Sequence, residues 1–169
     1  GRPWINTFPS MTHLTASNDG RHTAAVVQSV PFTAGDVFKF REGCYTVAVD
    51  GNPWPDNFLN IWDLAFSPEG PRVAAESRIT VQDFTIIVDG TPWDQRFLSV
   101  WKPLFHPFEN TVTAPVKLDK GWSLAKDGEV IWGSRFFQVW HHAYNPQGNH
   151  IAAIVAPRFG RWTIAVNGE

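Results

Sequence analysis

Few residues of this chain combine the type and spacing that acid–base, nucleophilic or metal chemistry requires. The histidines are His13, His22, His106, His141, His142 and His150, and only His141-His142 are adjacent. On a strand, neighbours point to opposite faces, so this pair is not expected to chelate one metal ion in the usual way. His106 precedes Pro107 in a segment that reads as a turn. The single cysteine, Cys44, excludes an internal disulfide and any Cys-based zinc or iron–sulfur site; beside Tyr45 it reads as a small buried residue. No nucleophile elbow, Walker loop, Rossmann glycine run or Cys-x-x-Cys-His motif occurs. The sequence therefore predicts no catalytic residue, no metal ligands and no cofactor-binding residues.

Asp50, Asp89 and Asp127 are the carboxylates most easily mistaken for catalysts. Each is followed by Gly, and Asn167-Gly168 continues the series at separations of 39, 38 and 40 residues. Asn supports the same backbone conformation as Asp but cannot act as a general base, which favours a turn role. Asp-Gly and Asn-Gly between β-branched runs are strong hairpin signals, because both central residues take positive φ.

The nine tryptophans invite carbohydrate stacking or electron transfer, yet they recur with the turns. Trp54, Trp93 and Trp132 follow the turn pairs, and Trp4 opens the chain in the same phase. Trp62, Trp101 and Trp140 lie eight residues further on, where the first copy has Thr12; Phe8, Phe58, Phe97 and Phe136 lie four residues on. Such regularity points to packing between repeated sheets. Trp122 and Trp162 stand where Tyr45 and Phe84 stand, again a packing position. Arg96, Arg135, Arg158 and Arg161 fall in or near loops and read as solvated surface, with a partner-facing patch as the other reading.

The elements that position these residues are four copies of one unit, about 1–50, 51–89, 90–127 and 128–169. After the aromatic segment each unit has a turn, as in Ser67-Pro68-Glu69-Gly70, then a small apolar run such as Val73-Ala74-Ala75. A short strand with a leading aromatic closes it, as in Phe84 to Val88. The first copy is longer by about eleven residues, an insertion within about 28–43 that reads as a loop or extra hairpin. No window keeps helical periodicity, so the expected fold is an all-β single domain over 1–169: a β-propeller of four-stranded blades. Because the chain starts just after the repeated turn and ends on one, its first strand is placed to complete the last blade. Either four blades close a ring, or they belong to a larger ring whose other members come from elsewhere, a second copy included.

Charged residues make up 18% and aromatics 14%, so aromatic burial rather than ion pairing orders the chain. A formal net charge of -2 gives no electrostatic footprint for nucleic acid or an anionic membrane. No apolar run approaches the roughly 20 residues needed to span a bilayer, and no signal-peptide pattern opens the chain. The start at Gly1 rather than Met fits a processed form or a part of something longer.

The repeats look like degenerate WD-type repeats, and Asp-Gly-x-Pro-Trp, Phe-x-x-(Val/Ile)-Trp and Phe-Ser-Pro-x-Gly are more particular. This text resembles the tryptophan-rich D subunit of the Tmc transmembrane electron-transport complex of sulfate-reducing bacteria. It is carried by Val88 to Asp94 with Phe97 and Trp101, and by Asp50 to Trp54 with Phe58, Trp62-Asp63 and Phe66 to Gly70. The resemblance covers essentially the whole chain and is strongest over residues 45–114. Thr12 and the insertion in the first copy depart from it.

The resemblance implies a non-catalytic accessory or scaffold subunit without a redox cofactor of its own. Its partners would be the protein subunits of a membrane redox complex. The expected localisation is cytoplasmic, with the membrane face as the place within it and the periplasm as the alternative. The rival reading is a small-molecule or carbohydrate-binding propeller, or a hydrolase with its site at the central channel.

Overall fold

The computed structural model describes residues 2–33 and 35–169, so Gly1, which opens the first repeat, and Ala34 of the insertion lie outside the described residues. The chain is all-β apart from one short helix. It forms four antiparallel sheets that follow one another in sequence. The first holds β1 (Met11–Ala16), β2 (Thr23–Gln28), β3 (Tyr45–Val49) and β4 (Asn52–Pro53), with the helix α1 (Val37–Glu42) between β2 and β3. The second holds β5 (Asn60–Phe66), β6 (Val73–Arg78), β7 (Phe84–Val88) and β8 (Thr91–Pro92). The third holds β9 (Ser99–Val100), β10 (Leu104–Phe105), β11 (Val112–Leu118), β12 (Gly121–Lys126) and β13 (Glu129–Val130), and the fourth β14 (Gln138–Tyr144), β15 (Ile151–Arg158) and β16 (Arg161–Val166).

Sheets and sequence repeats are out of phase by one strand. Each of the first three sheets is completed by the opening text of the next repeat: β4 pairs with β3, β8 with β7 and β13 with β12. A bridge further along the same edge joins Tyr45 to Phe58, Phe84 to Phe97 and Trp122 to Phe136. The fourth sheet has three strands, β14 to β16, among the described residues. Four strands per unit therefore hold for the first two sheets only. In the third, Lys102-Pro103 interrupts the first strand and leaves β9 and β10 as two pieces, since Pro cannot donate to the ladder.

The insertion contains α1 rather than a hairpin. Phe40 N–H donates to Asp36 O, and Gly43, at φ 94°, ends the helix with its N–H on Phe40 O. Six residues are too few to show periodicity in sequence, and the helix contributes no buried residue.

Apolar clusters fill the junctions between successive sheets. Ala24, Val26 and Val47 of the first sheet meet Ile61, Leu64, Ala75 and Ile87 of the second. Ala74 and Ile86 of the second meet Val100, Phe105, Val112 and Ala114 of the third. Trp122 and Leu124 of the third meet Val139, Ala153, Val155 and Ala165 of the fourth. Among the described residues no pairing joins the first segment to the last sheet, and the outer edge of β16 has no strand partner.

Candidate functional site

The four repeated turns have a common geometry. Asp50, Asp89, Asp127 and Asn167 sit at φ 50°, 51°, 48° and 53°, the left-handed region that short Asx side chains tolerate. In each, a side-chain Oδ1 accepts the N–H at the start of the strand paired with the one that leads into the turn: Thr23 at 2.9 Å, Val73 and Val112 at 2.8 Å, and Ile151 at 3.0 Å. The second oxygen of Asp50 lies 2.6 Å from His22 Nδ1, and that of Asp89 accepts from Arg72 Nε at 2.6 Å. These carboxylates are occupied in holding turns, and none faces another acid in a catalytic arrangement. The glycine after each lies under the tryptophan of the preceding repeat: Trp4 over Gly51, Trp54 over Gly90, Trp93 over Gly128 and Trp132 over Gly168. At Gly168 a Cβ would come within 2.9 Å of Trp132 Cγ, so the positive φ of 92° and the indole both select glycine.

The tryptophans divide by position. Trp93 and Trp132 are buried and Trp54 half-buried, while Trp62 and Trp101 are half-buried and Trp140 is 40% exposed. Trp101 stacks on Trp122, with ring centroids 5.2 Å apart and planes 2° from parallel. Its other neighbour is Trp140 at 6.0 Å, which in turn stands 6.5 Å from Trp162. Trp122 is buried, whereas Trp162 is 55% exposed although it occupies the same position in the repeat.

Beside this ladder lies a cleft of about 630 Å³, lined by Asp63, Trp101, Lys102, Trp140, His141 and His142 among others. The first strands create it. A β-bulge between Trp62 and Ala65 places Asp63 at φ 43°, and a second between Trp140 and His142 places His141 at φ 33°. The bulge also overturns strict alternation at the histidine pair: the extra residue lets His141 and His142 line one cleft instead of opposite faces. No group of three or more His, Cys, Asp or Glu that could hold a metal ion is found among the described residues. His142 Nε2 is 3.0 Å from Thr113 Oγ1, and burial, reinforced by His141, pushes His142 down to about 4.

Glu76, which the sequence reading passed over, is the most perturbed acid. It is 6% exposed, and burial together with the nearby Asp63 charge raises it to about 8. No hydrogen bond holds its carboxyl among the described residues. The signal was present in the repeat alignment, where Val26, Pro115 and Ile154 occupy the equivalent position. An acid that stays neutral near pH 7 can donate a proton, but nothing in nucleophile geometry accompanies it.

The remaining candidates have structural partners. His106 accepts the N–H groups of Phe108 and Glu109 on Nδ1, at 3.1 and 2.8 Å, which leaves Nε2 to donate to Gly148 O at 2.9 Å. It thus ties its own turn to the next. Cys44 is buried under α1, with Sγ 3.1 Å from Lys39 O, and burial pushes its thiol up. Arg96 donates to Trp93 O, and Arg135 to Trp132 O at 2.7 Å, so both cap the carbonyl of their own repeat's tryptophan. These two share a groove with Lys117 and Lys120, whereas Arg158 and Arg161 face each other across the tip of the β15–β16 hairpin.

The fourth sheet ends the array with an apolar face open to solvent. Trp162, Ile164 and Ile154 are 55%, 57% and 38% exposed, while the equivalents of Ile164, namely Val47, Ile86 and Leu124, are fully buried. No helix among the described residues is long and apolar enough to cross a membrane. The sequence matches no protein-family model and no curated protein.

Proposed function

We propose that the four sheets are successive blades of a propeller-type array, and that the protein is a non-catalytic docking subunit. The observation that carries this reading is the open face of the fourth sheet. Positions that every earlier sheet buries against its neighbour are presented to solvent there, with Trp140 and Trp162 adding large aromatic area. Exposed apolar patches of this kind mark interaction surfaces. The reactive groups nearby support it too, since the repeated carboxylates, His106 and the paired arginines are used up in turns and caps.

The resemblance of the repeat text to the D subunit of the Tmc complex supplies the partner class: subunits of a membrane-associated electron-transfer complex, for which this chain is an accessory or scaffold. The test is purification of such a complex from membranes by a tag on this chain, followed by subunit identification. Retention of iron–sulfur or membrane subunits with wild type, and their loss with a charge at Trp162, is the expected result. A complex that purifies complete and active without this chain refutes the proposal.

The cleft supports a second reading. Its size falls within the range of ligand pockets, roughly 300–1,000 Å³, and it joins the planes of Trp101 and Trp140 to Lys102, Asp63 and His141. A small planar or sugar-like ligand bound there would lose affinity on Trp140→Ala.

A further inference from the structure

We infer that the cleft beside the tryptophan ladder binds a small zwitterion with a planar apolar body, of the class of the aromatic α-amino acids. Asp63 takes its ammonium group, Lys102 its carboxylate, and Trp101 and Trp140 its body. The inference rests on the reading of the cleft as a ligand pocket and names the ligand that its charges select.

One repeated device builds the cleft. The first strand of every sheet is bulged or broken at the same place in the repeat, and the residue there is His13, Asp63, Lys102 or His141. Bulges set His13, Asp63 and His141 at φ 53°, 43° and 33°, and Lys102-Pro103 interrupts the strand of the third sheet. All four side chains are titratable, although their charges differ. Asp63, Lys102 and His141 line the cleft, which draws on the second, third and fourth sheets. Its lining runs from Asp63 to His142, so neither end of the sequence contributes to it.

A left-handed backbone accounts for Asp or His at a bulge, but not for what the side chain then does. Asp50, Asp89 and Asp127 take the same backbone region, and their oxygens hold turns. The Asp63 carboxylate enters no hydrogen bond or ion pair among the described residues, and neither does the Lys102 ammonium. One carboxylate and one ammonium are thus presented to a single cleft, each without a counter-ion. A simple anion would leave Asp63 unmatched and a simple cation would leave Lys102 unmatched, so the complementary ligand carries both charges. Glu76 adds no second negative charge, because burial and the Asp63 charge keep it protonated near pH 7.

The walls set the body of the ligand. Trp101 and Trp140 stand 6.0 Å apart with planes at 58°, and Pro103, Leu104 and Pro115 complete the apolar lining. Trp101 is already held by its stack on Trp122, so its ring does not have to be ordered on binding. A planar ring stacks on such indoles, whereas a flexible aliphatic chain gains only area.

The test is isothermal titration calorimetry of the 169-residue chain with L-phenylalanine and L-tryptophan, against phenethylamine, 3-phenylpropionate and indole. The two zwitterions should bind one per chain. Phenethylamine and 3-phenylpropionate should bind at least about tenfold more weakly, since each lacks one charge-assisted contact. Asp63→Asn keeps a residue type that tolerates φ 43°, and Lys102→Met keeps an unbranched chain, so both variants keep the far-UV spectrum of wild type. Asp63→Asn should bind L-phenylalanine no better than 3-phenylpropionate, and Lys102→Met no better than phenethylamine. Zwitterions that bind no better than the singly charged probes overturn the inference, and so does an affinity for L-phenylalanine that both charge variants keep. Indole that binds equally well in those circumstances, and is lost on Trp140→Ala, leaves the cleft a pocket and removes only the ligand class. A wild type that binds none of the probes overturns the pocket reading together with the inference.

Discussion

Replacing Glu76 by Gln removes one titration from the interior while keeping the size of the side chain. Glu76 sits at 6% exposure between the second and third sheets, and burial with Asp63 close by raises it from an ordinary 4.5 to about 8. Below pH 4.5 both folded and unfolded chains hold the proton, and the group has no effect on stability. Between 4.5 and 8 the unfolded chain releases the proton while the folded chain keeps it, so the unfolded state gains and stability falls as pH rises. Above 8 the loss is complete. A gap of about 3.5 pH units at about 1.36 kcal/mol each sets a ceiling of about 5 kcal/mol. Half of that, about 2.5 kcal/mol, moves the melting temperature of a chain this size by about 5–10 °C. The assay is thermal unfolding of wild type and Glu76→Gln from pH 4 to 9. The variant should match wild type near pH 4, gain steadily to pH 8, and level off. A difference that does not change with pH, or that shrinks as pH rises, refutes the buried-acid account.

Three further outcomes follow from the same geometry. His142 is held neutral by burial, so it contributes stability above pH 6.5 that disappears as pH falls toward 4; His142→Gln should flatten the acid limb of the unfolding profile. Asp89→Asn keeps an oxygen for the Val73 N–H, as Asn167 does for Ile151, and should cost under about 0.5 kcal/mol; Asp89→Ala loses that acceptor at φ 51° and should cost about 1–2 kcal/mol in denaturant unfolding. Trp101→Ala breaks the stack on Trp122 and should cost about 2–4 kcal/mol, whereas Trp162→Ala, on the open face, should cost less than about 1 kcal/mol in the single chain.

Local text was enough for what depends on local backbone. The recurrence of Asp50-Gly51, Asp89-Gly90, Asp127-Gly128 and Asn167-Gly168 places four hairpin turns, because only short Asx side chains and Gly adopt positive φ at low energy. The alternation around them gives an all-β chain, and the replacement of Asp by Asn already argued against catalysis. Contacts across the sequence were not legible in this way. Whether Trp101 is stacked and Trp162 exposed depends on whether another sheet follows, which residue type alone does not record. The bulge that turns His141 and His142 into one cleft reverses the alternation rule, since one extra residue in a strand shifts every side chain after it. Glu76 stood out as an acid among Val26, Pro115 and Ile154, but its raised pKa comes from burial between two sheets and from the Asp63 charge. The repeat determined the unit and its turns; the tertiary structure decided which strand of one repeat completes the sheet of the one before it, and that Trp4 and Phe8 pack on Ala25, Val27 and Ala48, because pairing and packing are properties of neighbours in space.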